Sequence, residues 1–124
     1  MAHRDIPRDR WRDELDSFSR QHEGWIVRVE VTGSDGRQRT EARDLPLQGV
    51  SADSQDASRV AIMVGQKPAG HVTHEVADPV DIVIEQTDAG AERALRIRAA
   101  DGSTTTVEFR SPMRPEQVDG ISER

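Results

Sequence analysis

The sequence predicts a mainly β domain with one N-terminal α-helix, its strands running as a small antiparallel meander that forms a curved sheet or a barrel. Two observations carry this. Residues 5–24 place apolar side chains at helical spacing, and at Trp25 the period switches to two. From there residues 25–111 alternate inward and outward side chains in short runs separated by turn signals, which gives roughly seven short strands. A two-layer α+β sheet is the alternative arrangement.

The helix is expected over residues 5–24. Pro7 suits a first turn, because its missing N–H would have no partner there in any case. Trp11, Leu15 and Phe18 fall at i, i+4 and i+7, and His22 extends that stripe by four. Gly24 is placed to stop the helix. Arg8, Asp9, Arg12, Asp13, Asp16 and Arg20 make the opposite face charged. A lone helix of this length is marginal in water, so the stripe must dock on the sheet.

The strands follow in order. Val27, Val29 and Val31 alternate with Arg28, Glu30 and Thr32, and Gly33-Ser34-Asp35-Gly36 reads as a hairpin turn. Gln38 to Asp44 reads as a polar, edge-like strand. Leu45 to Val50 is apolar but interrupted by Pro46, which predicts an irregular or edge segment. Ser51 to Ser58 reads as a loop. Val60, Ile62 and Val64 begin the next strand, Lys67 to Gly70 turns, and His71 to Val76 returns. After Asp78-Pro79, residues Val80, Ile82 and Ile84 form an inward set, and Asp88-Ala89-Gly90 turns again. Leu95 and Ile97 precede the strongest hairpin signal, Asp101-Gly102, after which Thr105, Val107 and Phe109 point inward. Residues 112–124 read as an extended tail.

Length and composition fit one domain over residues 1–124 with a lean core. Hydrophobic residues make up 34% of the 124 residues and aromatics 3%, against 32% charged, with a mean hydropathy of -0.73. Without cysteine the chain has no disulfide, no thiol nucleophile and no thiolate-bound zinc, which fits a reducing compartment. No apolar run approaches the ~18 residues of a membrane span, and the N-terminus lacks the apolar stretch of a signal peptide. The expected location is cytoplasmic, with no membrane partner. A net charge of -6 argues against nucleic acid. Of the 17 basic residues only Lys67 is a lysine, a bias expected of a GC-rich bacterial genome.

Several segments together resemble one family. These are Ile6-Pro7-Arg8 with Trp11, Phe18 to Trp25, Leu45-Pro46-Leu47, His71 with Thr73-His74, Glu85 to Gly90, and Phe109-Arg110-Ser111-Pro112. They are similar to a family of short bacterial proteins catalogued as a domain of unknown function and numbered 5335. The resemblance covers nearly the whole chain. It implies a single self-contained bacterial domain and brings no activity, ligand or catalytic residue with it.

The richest segment chemically is Gly70-His71-Val72-Thr73-His74-Glu75-Val76, which holds two of the four histidines beside a carboxylate. On a strand, a spacing of three puts His71 and His74 on opposite faces, so one metal ion could take both only across a bulge or turn. His74, flanked by Val72 and Val76, is expected to face the core with a hydrogen-bond partner. Arg96, Arg98 and Arg110 fall on one outward strip that could hold an anionic group, or pair with Glu108 and other acids across the strands. Asp53, Glu75, Asp78, Asp81 and Glu85 cluster in mid-chain and read as solvated surface. Gly49 to Asp53 lacks the serine elbow of a hydrolase, and no phosphate-binding glycine loop occurs. Trp11 and Trp25 read as core.

The expected role is therefore a non-enzymatic interaction or accessory domain without cofactor or metal. Its partner is expected to be a second copy or another protein, reached through strand pairing at the edge-like strand Gln38 to Asp44. The competing expectation is a small-molecule or metal-binding protein, an enzyme included, using His71, His74 and Glu75.

Overall fold

The computed structural model describes residues 2–52, 58–66, 70–87 and 91–113. In chain order these form β1 (Ala2–Asp5), a 3-10 turn (Arg8–Arg10), α1 (Trp11–His22), β2 (Ile26–Thr32), β3 (Gln38–Ala52), β4 (Arg59–Gln66), β5 (Gly70–Ala77), β6 (Pro79–Gln86), β7 (Glu92–Ala99) and β8 (Thr104–Met113). All pairings are antiparallel, in the order β1-β6-β7-β8-β2-β3-β4-β5. The domain is mainly β with one helix, as the pattern of periods predicts. The sheet is curved and does not close into a barrel.

The helix is shorter than the expected span of 5–24. Residues 2–5 instead extend the sheet, with His3 opposite Glu85 and Asp5 opposite Val83. Pro7 adopts an extended conformation (φ -58, ψ 145), so the helical residues begin beyond it. Ile6 bridges the two: its N–H donates to the Ile82 carbonyl at 2.9 Å and its own carbonyl accepts the Trp11 indole N–H at 2.8 Å. The predicted stripe is intact, since Trp11, Leu15, Phe18 and His22 are all buried. The chain leaves the helix at Glu23 (φ -59, ψ 129), and Gly24 follows with φ +86, a conformation that costs a residue with a Cβ.

A second difference concerns residues 38–52, which form one 15-residue strand rather than an edge strand followed by an irregular segment. Its first part pairs with β2 as far as Ile26 opposite Pro46, and its last part pairs with β4 from Leu47 to Ala52. Within the first part, Asp44 has φ 54, and two register shifts against β2 bend the strand. Proline is tolerated at this changeover because β4 takes over the pairing one residue later.

Helix α1 covers the side of β3 that the bend uncovers. The Ser19 hydroxyl accepts the Val50 N–H at 2.8 Å and lies 2.9 Å from the Val50 carbonyl. The Leu47 N–H donates to the Trp25 carbonyl, and the Gly24 N–H donates to the Leu47 carbonyl, each at 2.8 Å. Backbone groups that would otherwise be unpaired beneath a helix are thereby satisfied. Helix and sheet then share one core, to which α1 contributes its stripe and the strands contribute Val27, Leu47, Ile62, Ile84, Leu95 and Val107.

Strand β5 turns into β6 at a tight corner. Asp78 has φ 51; its N–H donates to the Ser58 carbonyl, and its carbonyl accepts the Ala100 N–H. A register shift between Pro79 and Asp81 follows. It reverses the expected alternation locally, so Val80, predicted inward, is 42% exposed, while Ile82 and Ile84 are buried as expected. Of the turn predicted at 67–70, the loop at 51–58 and the tail at 112–124, residues 51–52 belong to β3, Gly70 to β5 and 112–113 to β8, while 53–57, 67–69 and 114–124, like the turn at 88–90, lie outside the described residues.

Candidate functional site

The histidine segment is a regular strand. β5 runs beside β4 from Gly70 opposite Gln66 to Ala77 opposite Arg59 without a register shift. Alternation therefore holds, and no bulge brings His71 and His74 to one face. The partly buried His74 has its Nε2 3.4 Å from the Thr105 hydroxyl of β8. Glu75 is exposed and lies 3.6 Å from the Arg59 guanidinium. Burial depresses the proton affinity of His74, the Glu41 carboxylate opposes this, and the Arg39 guanidinium adds to it. Among the described residues no three histidine or carboxylate groups gather closely enough to hold a metal ion.

The outward arginines divide into two sets. Arg96 contacts Glu85 at 2.7 Å, and Arg98 pairs with Asp81 on the neighbouring strand. These are cross-strand pairs in register or nearly so, and they account for Asp81 and Glu85. Arg110 makes no ion pair among the described residues. It lies at a polar cleft of about 350 Å³ lined by Arg28, Asp44, Arg93, Glu108, Phe109 and Arg110.

Irregular pairing shapes this cleft. Ala94 pairs with Glu108, but Glu92 pairs with Met113, so β8 carries extra residues opposite Arg93. On the other side of β2, the bend at Asp44 breaks the β2–β3 register. Bulges of this kind re-aim side chains. Arg28 is held by Glu108 at 2.6 Å and by Glu30 at 3.4 Å, and beside these carboxylates its guanidinium keeps its proton more firmly than usual. Arg93 reaches Glu85 only at 3.7 Å, and its Nε is buried without a hydrogen-bond partner among the described residues.

Behind the cleft lies a buried polar pair that the sequence pattern did not single out. His22 is fully buried among Phe18, Trp25 and Phe109, with ring centroids 4.4, 4.5 and 4.7 Å away. Its Nδ1–H donates to the Phe18 carbonyl at 2.7 Å. Its Nε2 lies 3.0 Å from Oε1 of Glu92, itself only 6% exposed. The contact is close, but neither atom completes a hydrogen bond among the described residues. The sequence signal was a histidine on an otherwise apolar stripe, which demands a buried partner. Glu92 escaped notice because the register shift beside Arg93 turns it inward, against the parity of Leu95 and Ile97.

No described helix is long and apolar enough to cross a membrane. The chain matches the model of a family described as "Family of unknown function (DUF5335)" over residues 2–118. No curated protein and no solved structure matches it.

Proposed function

The chain belongs to the family of unknown function DUF5335, and we propose that it is a non-enzymatic interaction domain that pairs through the free edge of β5. The observation that carries this reading is the contrast among the open edges. β1 is only four residues long. The first part of β3, Gln38 to Asp44, is open on one side but bulged twice and lined with Arg39, Glu41 and Arg43. Short length, bulges and charge are the usual protections against edge pairing. β5 lacks the first two: it offers eight residues in unbroken register with Glu75 as its one acidic side chain, and no further strand is bonded to its outer side among the described residues.

The occupant proposed is a second copy of β5 running antiparallel about a two-fold axis. Thr73 then faces Thr73, and Glu75 of one copy lies opposite His71 of the other. The neighbouring register that also keeps faces aligned would set His74 against His74, so the first is preferred. Size-exclusion chromatography with light scattering tests this. The wild-type mass should rise from 13.8 kDa toward twice that with concentration, and Thr73→Lys, which sets like charges face to face, should stay monomeric. A wild-type chain that is monomeric at every concentration contradicts the reading.

A further inference from the structure

The cleft between β2, β7 and β8 brings to one opening an arginine with an unsatisfied Nε and an arginine without an ion pair among the described residues. Its lining holds the guanidinium groups of Arg28, Arg93 and Arg110 against the carboxylates of Asp44 and Glu108. Arg28 is taken up by Glu108 and Glu30. Glu85, the nearest acid to Arg93, is already engaged by Arg96 at 2.7 Å, leaving Arg93 at 3.7 Å. A buried guanidinium Nε without a partner is costly unless something accepts from it. Arg110, the exposed member, stands at the same opening without an ion pair among the described residues.

From this arrangement we infer that the cleft binds a small monoanion of the carboxylate class, held by Arg93 and Arg110. A guanidinium fork matches the two oxygens of a carboxylate. Asp44 and Glu108 line the cleft, and Glu30 and Glu85 lie beside its arginines, so a monoanion suits it better than a dianionic phosphate. The fixed Asp44 and Glu108 carboxylates would repel the second charge. A cleft of about 350 Å³ lies at the small end of ligand sites, so the ligand is a small acid or the end of a side chain or peptide rather than a nucleotide. The bulge that adds residues to β8 opposite Arg93 is what opens the space.

The arginine Nε–H resonances report on this directly. Titration with acetate at constant ionic strength should shift the Arg93 and Arg110 signals saturably and leave those of Arg96 and Arg98 in place. Arg110→Gln, at an exposed position that leaves the fold intact, should weaken acetate binding about tenfold, as expected for the loss of a charge-assisted contact. Arg96→Gln should not weaken it. Three results would overturn the inference. These are unsaturable movement of all arginine signals together, unchanged acetate affinity in Arg110→Gln, and tighter binding of inorganic phosphate than of acetate.

Discussion

His22 on α1 and Glu92 on β7 meet at 3.0 Å in the core, the imidazole fully buried and the carboxylate nearly so. This contact ties the only helix among the described residues to the middle of the sheet. It also places a buried polar pair behind Phe109, a residue that lines the arginine cleft.

Breaking a buried pair from one side strands the other group. Glu92→Ala should therefore destabilise the domain by about 3 kcal/mol or more. In a His22→Phe background the same change should cost much less, because no ring nitrogen is left needing a partner and the aromatic surroundings accept a phenyl ring. Denaturant unfolding of the four chains measures the coupling. Equal costs in both backgrounds would show that the pair does not act as a unit.

The Ser19 hydroxyl accepts the Val50 N–H, and its one hydrogen lies within reach of the Leu15 and Val50 carbonyls. Ser19→Ala should cost about 1–3 kcal/mol, the range for a buried backbone group left without a partner. It should also speed amide exchange at Val50 more than at Ile62 in the middle of β4. Unchanged exchange at Val50 would mean that α1 does not protect this part of β3.

His74 sets a pH dependence. Its desolvation in the folded state lowers its proton affinity below the ordinary value of 6.5. A depressed folded value means that stability is complete above the unfolded value and is lost as pH falls through the folded one. Unfolding midpoints should therefore fall as pH drops below about 6.5, and His74→Leu should remove that component. A wild type and variant with parallel pH profiles would contradict it.

Gly102 closes the β7–β8 hairpin with φ +91, and a Cβ there would meet the Ser34 Cβ at 3.0 Å. Gly102→Ala should therefore destabilise by more than the ~1 kcal/mol that the backbone conformation alone costs. Adding Ser34→Gly should recover part of the loss, as a thermal melt would show. No recovery would mean that the turn at Ser34 does not press on this hairpin.

The parts of this fold legible in the sequence are those where local pattern and tertiary pairing agree. The stripe from Trp11 to His22, the alternation in β2 and β8, and the Asp101-Gly102 turn need no partner to be recognised. The errors fall where pairing overrides pattern. Residues 2–5 are strand because β6 offers them an edge, and Pro46 lies within a strand because β4 takes over from β2 there. Val80 and Glu92 point against parity because register shifts sit beside them. The same shifts explain why Arg110 could be named as a candidate while Arg28, Arg93 and Asp44 could not. Bulges bring these four together, and bulges leave almost no mark on hydrophobic period.

The edge of β5 is tested most directly by amide hydrogen exchange followed as a function of protein concentration. Pairing of two copies predicts that β5 amides directed away from β4 slow as concentration rises, while those of Gln38 to Asp44 and of β1 do not change. Exchange in β5 that is independent of concentration, or protection that develops at Gln38 to Asp44 instead, would contradict it.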